Sequence, residues 1–110
     1  MSGVTLQLNN DQNILAINSP KDRVGGPYKV VYKDTVDRWA IVALDWEGKP
    51  TLGIRWFWGN GGNPFSSGHP IWLVIPSQLL HTTLTGLPLA YGFRKKIEDF
   101  LAGKISGSQL

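Results

Sequence analysis

The chain has 110 residues, with five Trp, 13 Gly and a formal net charge of +3 from 11 Lys and Arg against 8 Asp and Glu. Its length predicts one domain, residues 1–110, and its hydrophobic share of 42% is enough for a single core. The absence of cysteine excludes a disulfide scaffold, a thiol nucleophile and a cysteine-ligated metal site. Because no apolar run approaches the roughly 20 residues of a membrane span and no signal peptide opens the chain, we expect a cytoplasmic protein with no membrane partner.

The first quarter of the chain, residues 1–26, is predicted to form N-terminal strands and a loop. Residues 4–8 alternate weakly, and residues 13–18 are a short apolar run between polar residues. Both patterns favour strands, although a helical turn is open as an alternative for the second. Gly25 and Gly26, in a stretch bounded by prolines, predict the loop.

The middle of the chain gives the clearest strand signals. Residues 28–33 are rich in aromatic and β-branched side chains, and residues 39–45 are almost continuously apolar. After a turn at residues 47–50, residues 51–58 alternate with period two, so that successive side chains lie on opposite faces. The face expected in the core is Leu52, Ile54, Trp56 and Trp58, and the face expected to be open is Thr51, Gly53, Arg55 and Phe57.

A glycine-rich loop, a strand and two helices complete the predicted elements. The loop covers residues 59–70 and the strand residues 71–75. A proline starts a short helix over 76–84, and apolar residues at helical spacing predict a longer helix over 91–102. The order predicts an α+β fold, a twisted antiparallel sheet of four to six strands with C-terminal helices packed on one face. The predicted core is Leu52, Ile54, Trp56, Ile71, Leu73, Ile75, Phe93, Ile97 and Phe100.

Catalytic chemistry has little support in the sequence. His69 lies in the loop and His81 on the short helix, and the serines near His69 lack a Gly-x-Ser-x-Gly frame. Asp45 and Glu47 are a weak pair for a metal or a glycosidase, and the glycine loop lacks a phosphate-binding motif. We therefore predict that the protein is not an enzyme and has no catalytic residue, metal or cofactor.

Basic and aromatic residues are interleaved along the predicted strands. Cations track phosphates and aromatic rings stack on bases, so a sheet that carries both can bind a single strand. The alternative is that the aromatic residues lie in the core and the cations on an ordinary sheet surface. The candidate nucleic-acid contacts are Lys29, Lys33, Arg38, Trp46, Lys49, Arg55 and Phe57.

A turn motif in the middle of the chain extends the nucleic-acid hypothesis. The motif comprises Trp46-x-Gly48-x-Pro50, then Ile54, Arg55 and Trp58, a loop, the strand 71–75 and a helix from Pro76. This arrangement resembles the core of the PC4-like transcriptional-coactivator fold, over residues 27–84, and is most similar to its small bacterial members, which bind single-stranded nucleic acid. Residues 85–110, a helix and a loose tail, lie outside the resemblance.

The predicted function is therefore binding of single-stranded DNA or RNA with little sequence preference, as the resemblance implies. The alternative is a protein-interaction or small-ligand-binding module that uses the Trp-rich sheet and the Gly-rich loop. We also expect a homodimer, because a short Trp-rich sheet leaves strand edges and apolar surface to cover.

Overall fold

The computed structural model of the protein describes residues 8–59 and 61–110. The strands are β1 Val24–Asp34, β2 Trp39–Trp46, β3 Lys49–Trp56, β4 Phe65–Ser66, β5 His69–Pro70 and β6 Leu73–Val74. The helices are α1 Asp11–Leu15, α2 Leu80–Gly86 and α3 Tyr91–Leu101, with short 3-10 turns at Ser77–Leu79 and Gly107–Gln109. A four-stranded antiparallel sheet has the order β1-β2-β3-β6, and β4 and β5 form a separate hairpin. The predicted α+β class is confirmed.

Strand β2 is an inner strand of the sheet and is buried on both faces, which explains its almost continuous apolar sequence. Alternate side chains of β2 enter two different core clusters, one on each side of the sheet. The first cluster joins the sheet to residues 8–19, which we call the N-terminal segment. It contains Leu8, Ile14, Ile17, Ala40, Val42, Leu44, Phe57 and Trp72. The second joins the sheet to α2 and α3 and contains Val31, Ile41, Ala43, Leu52, Ile75, Leu84, Ile97 and Phe100.

A two-residue turn joins β2 to β3. Glu47 and Gly48 have φ values of 51° and 82°, the positive angles that a type I′ hairpin turn requires. The register is unbroken from Trp46 opposite Lys49 to Trp39 opposite Trp56. This regular hairpin places Trp46 and Trp56 at opposite ends of the sheet.

The N-terminal region differs from the strands predicted for it. For residues 13–18 a strand is favoured by the sequence and a helical turn is the open alternative; the structure has the helix, since α1 begins at Asp11, where Asn10 caps it by accepting a hydrogen bond from the Gln12 amide (2.8 Å). An apolar run this short has no periodicity that separates a strand from a helical turn, and packing on the sheet decides the outcome. The strand predicted at residues 4–8 lies, apart from Leu8, outside the described residues.

The predicted core is correct in part. Leu52, Ile75, Ile97 and Phe100 are buried, whereas four other residues of the predicted core, Ile54, Trp56, Ile71 and Phe93, are half-buried. The prediction is wrong for Leu73, which is 53% exposed because β6 is a two-residue strand at the sheet edge.

The faces of β3 are also assigned differently from the prediction. Trp58, expected in the core, is 53% exposed, and the face expected to be open is buried at all four of its positions. That face lies under the N-terminal segment and the chain after β3, so the sheet is covered on both sides. The buried positions are Thr51, Gly53, Arg55 and Phe57.

The C-terminal helices lie as predicted on one face of the sheet, in the second core cluster. The tail expected to be loose is docked instead, since Gly107 is buried against the Tyr28 ring and Ile105 and Leu110 pack on the same cluster. Within the part of the chain that the structure describes, no helix is long and apolar enough to cross a membrane.

Candidate functional site

Two of the predicted nucleic-acid contacts are inside the protein. Arg55 and Phe57 are fully buried, so neither side chain can contact phosphate or stack on a base, and both assignments are wrong. Arg55 and Phe57 share one face of β3, as the period-two pattern predicts. That face is not open, because the chain after β3 folds back over it.

The guanidinium of Arg55 bonds to the backbone instead of a ligand. Its Nε donates to the carbonyl of Ile71 (3.0 Å), and its Nη2 donates to the carbonyls of Gly61 (2.8 Å) and Pro64 (3.3 Å). The guanidinium carbon lies 4.9 Å from the centroid of the Phe57 ring. Burial lowers the pKa of Arg55 to about 10, so the group remains a cation at neutral pH.

A third predicted contact, Lys33, is hydrogen-bonded within the protein. Its Nζ donates to the carboxylate of Asp11 (2.8 Å) and to the backbone carbonyl of Leu8 (3.2 Å). Lys33 therefore ties the N-terminal segment to β1, a structural role that the sequence pattern did not indicate.

The other four predicted contacts lie at or near the surface but not together. Lys29 and Lys49 are exposed, Trp46 is half-buried at one end of β2, and Arg38 precedes the other end. The Arg38 guanidinium stacks on the exposed Trp58 ring at 4.9 Å. Because β2 has eight residues, its two ends are about 23 Å apart. The structure does not gather the predicted residues into one small surface.

A concave site lies at the Trp46 end of the sheet. It is a pocket of about 330 Å³, which we call the Trp46 pocket. Its lining combines apolar surfaces with hydroxyl, imidazole and guanidinium groups. The lining residues are Ser19, Pro20, Arg23, Trp46, Ser66, Ser67, His69 and Ile71.

Long-range backbone contacts bring these residues together. Ser19 forms a parallel bridge with Ile71, and the Trp72 indole Nε1 donates to the carbonyl of Ile17 (2.7 Å), which fixes the N-terminal segment beside the chain after β5. On the other side, the Glu47 amide donates to the carbonyl of Arg23 (2.7 Å). The Trp46 pocket is therefore assembled from three regions distant in sequence.

The charged groups at the rim remain accessible. Arg23 Nη1 lies 3.1 Å from Glu47 Oε2, and both side chains are more than half exposed. On the opposite face of the sheet from the Trp46 side chain, the Tyr28 hydroxyl donates to Asp45 Oδ2 (2.7 Å), and this hydrogen bond to a carboxylate raises the pKa of Tyr28 to about 12.

The hairpin of β4 and β5 supplies the polar side chains. Ser66 pairs with His69 across the hairpin, and Ser67 occupies its turn with a φ of 52°. Among the described residues, no cluster of three or more His, Asp or Glu could hold a metal. The groups present can bind a ligand by hydrogen bonds and charge.

A second concavity of about 480 Å³ runs along β6 and is almost wholly apolar. It includes Leu73, and Leu79 at 51% exposed, but no charged side chain. No polar or charged group in this concavity selects a particular ligand class.

The homodimer predicted from the sequence stays a prediction, which sedimentation equilibrium tests.

Comparison with known proteins gives no match: no protein-family model fits the chain, and neither a curated protein nor a solved structure is similar to it. The role of the site can therefore be inferred only from its geometry.

The sequence indicates Ser66, Ser67 and His69 as neighbours but assigns them no role, and it does not indicate Ser19 or Arg23 at all. No local signal marks those two, because only the tertiary fold brings them to Trp46.

Proposed function

We propose that the protein is a binding module for a small molecule that carries both a flat ring and an anionic group, bound in the Trp46 pocket. The observation that carries the proposal is the convergence of an indole ring, a guanidinium, hydroxyls and an imidazole around one cavity. Ligand sites combine apolar and aromatic lining with a few polar groups that fix orientation. This pocket has that composition.

The ring preference follows from the apolar part of the lining. Trp46, Pro20 and Ile71 offer flat, weakly hydrated surfaces on which a ring can stack. The volume of about 330 Å³ is at the small end of the range for ligand sites, roughly 300–1,000 Å³. The pocket therefore has room for a group about the size of a mononucleotide.

The anion preference follows from Arg23. Its ion pair with Glu47 is exposed, and exposed pairs contribute only about 0–1 kcal/mol, so a ligand anion can compete for the guanidinium. Ser66, Ser67 and His69 add further hydrogen-bonding groups from the hairpin. We propose binding alone, with no catalytic step assigned to these groups.

The test is an NMR titration of the ¹⁵N-labelled protein with two anion–neutral pairs: adenosine monophosphate with adenosine, and phenylacetate with phenylacetamide. We expect at least one anion to shift the Trp46 indole resonance and the amides of Ser66, Ser67 and His69. The affinity of its neutral partner should be lower by about tenfold or more, because a charge-assisted hydrogen bond is lost. If neither anion shifts these resonances, or if each neutral partner binds equally well, the proposal is wrong.

Paired variants locate the site. Trp46→Leu should abolish the shifts, and its control Trp58→Leu, at an exposed tryptophan distant from the pocket, should not. Arg23→Gln should reduce anion affinity about tenfold, whereas Lys21→Gln removes the same charge from an exposed residue outside the pocket lining and should have little effect.

We keep single-stranded nucleic acid as a second candidate because of one observation, the Arg38 guanidinium stacked on the half-exposed Trp58 ring. A cation beside an exposed aromatic face is a recurrent part of single-strand binding surfaces. The resemblance to PC4-like proteins supports the same function.

Fluorescence anisotropy with a labelled mixed-sequence oligonucleotide tests this second candidate. Binding should weaken steeply between low and moderate salt, because neutralised phosphates release counterions. Trp58→Ala should reduce the affinity and Trp46→Ala should not, if the strand lies at the Arg38 end of the sheet. Absence of binding at low salt, or affinity that is indifferent to salt, rejects this candidate and leaves the small-molecule proposal unaffected.

A further inference from the structure

The chain between β3 and β6 is secured to the sheet through Arg55. We infer that Arg55 is a positioning residue, whose guanidinium holds residues 61–71, the hairpin segment, in the place that brings Ser66, Ser67 and His69 to the Trp46 pocket. The consequence for ligand binding rests on the proposed function, whereas the placement of the segment does not.

The hydrogen bonds of Arg55 reach both ends of the segment. Gly61 and Pro64 accept from Nη2 near its start, and Ile71 accepts from Nε at its end. The carbonyl of Pro64 also accepts from the amide of Ile71 (3.1 Å). The start and the end of the segment are therefore hydrogen-bonded to each other as well as to the guanidinium. A planar guanidinium has donors in a fixed arrangement and can bridge such points, which a single ammonium cannot.

Side-chain burial does little to hold this segment. Asn63, Phe65, Ser66, Ser67 and His69 are all exposed, and the segment contributes no residue to either core cluster. Regions with few buried apolar contacts open locally at low free energy. The segment is therefore held by hydrogen bonds: those from the buried guanidinium, two backbone bonds between Trp56 and Asn63, the bond from the Gly62 amide to the Trp58 carbonyl, and the bridge between Ile71 and Ser19.

The surroundings of the guanidinium support a specific role for Arg55 in holding the hairpin segment. Arg55 is fully buried, and its donors go to backbone carbonyls; within the described ranges no carboxylate pairs with it and its Nη1 has no acceptor. At Gly62, with a φ of 73°, an added Cβ would lie 3.0 Å from Nη1 and would collide with the carbonyl of Trp56. The segment thus fits closely around the guanidinium.

Amide hydrogen exchange measured by NMR tests the inference without a ligand. In Arg55→Lys, the amides of Gly62, Asn63 and Ile71 should exchange about tenfold or more faster, while those of β2 remain protected. Arg38→Lys is the matched control, because it makes the same change in an arginine that also stacks on an aromatic ring at 4.9 Å. In Arg55→Ala, guanidinium ion at millimolar concentration should restore the protection, and ammonium ion should not.

The outcomes separate this inference from the proposed function. Unchanged exchange of the hairpin segment in Arg55→Lys overturns the inference, and so does an equal acceleration in β2, which would make Arg55 a general core residue. Selective acceleration supports it, even if the wild-type protein binds neither anion and the proposed function fails. If an anion does bind, its affinity for Arg55→Lys should fall about tenfold, with Arg38→Lys unchanged.

Discussion

Two arginine–aromatic pairs lie at one end of the sheet and have the same separation in opposite environments. In each pair the guanidinium carbon is 4.9 Å from the ring centroid. Arg55 and Phe57 are fully buried, whereas Arg38 is half-buried and Trp58 is 53% exposed. The two pairs are also neighbours, since the Phe57 amide donates to the carbonyl of Arg38 (2.8 Å).

The difference between the pairs teaches that contact distance does not set the role of a cation–π pair. An exposed pair contributes about 0.5–1 kcal/mol, and a desolvated pair about 2 kcal/mol or more. The buried Arg55 also bonds to three carbonyls, while no hydrogen bond between described residues involves the Arg38 guanidinium. The buried pair is structural, and the exposed pair is free to contact a partner.

Truncation of the two rings should give the largest contrast. Phe57→Ala leaves a cavity in the first core cluster and should lower the free energy of unfolding by about 3–5 kcal/mol. Trp58→Ala removes a half-exposed ring and should cost below about 1 kcal/mol. Urea unfolding followed by circular dichroism measures both, and equal losses would contradict the comparison.

Truncation of the two arginines should give the next largest contrast. Arg55→Ala leaves the part-buried carbonyls of Gly61 and Ile71 without the guanidinium donor and should cost about 2–4 kcal/mol, with part of the loss offset by removal of a desolvated charge. Arg38→Ala should cost below about 1 kcal/mol. The same unfolding measurements decide this, and an Arg38 variant as unstable as the Arg55 variant would break the distinction.

Two glycines beside the pairs provide a backbone version of the same test. Gly59 and Gly62 have φ values of 69° and 73°, so alanine at either position adopts a left-handed conformation at a cost of about 1–2 kcal/mol. At Gly59 a Cβ meets nothing within 4 Å, but at Gly62 it collides with the carbonyl of Trp56. Gly62→Ala should therefore be less stable than Gly59→Ala by a further 1–3 kcal/mol or so. Thermal unfolding of the two variants under identical conditions would show whether they are equivalent.

The hydrogen bond from Tyr28 to Asp45 is half-buried, so its exposure lies between those of the two arginine–aromatic pairs. Its removal should give the smallest of these differences in the free energy of unfolding. The pKa of Tyr28 is raised from 10.0 to about 12 in the folded protein, so the contribution of this bond is complete below pH 10 and is lost as the pH rises through 12. Wild-type protein should exceed Tyr28→Phe in stability by about 0.5–1.5 kcal/mol at neutral pH. The difference should shrink between pH 10 and pH 12, the range set by these two values. A difference that is constant over that range, measured by urea unfolding, would contradict the assigned cause.

Elements with strong local signals could be predicted. The apolar run of β2, the glycine-containing turn after it and the period-two pattern of β3 agree with the structure, and so does α3 with its apolar stripe. These patterns follow from the backbone repeat of each element, which determines the side chains that share a buried face. By contrast, α1 has only five residues, too few for a helical period to be distinguished, so the sequence favours a strand there and leaves a helical turn as the alternative.

The sequence by itself determined that β3 has two faces, which residues share each face and where its hairpin turns. Only the tertiary structure decided that both faces are covered, because period two separates the faces without stating what packs on them. The same holds for the Trp46 pocket, whose lining comes from residues 19–23, 46 and 66–71. The bridge between Ser19 and Ile71 unites these segments, and a pairing over such a separation leaves no local pattern in the chain.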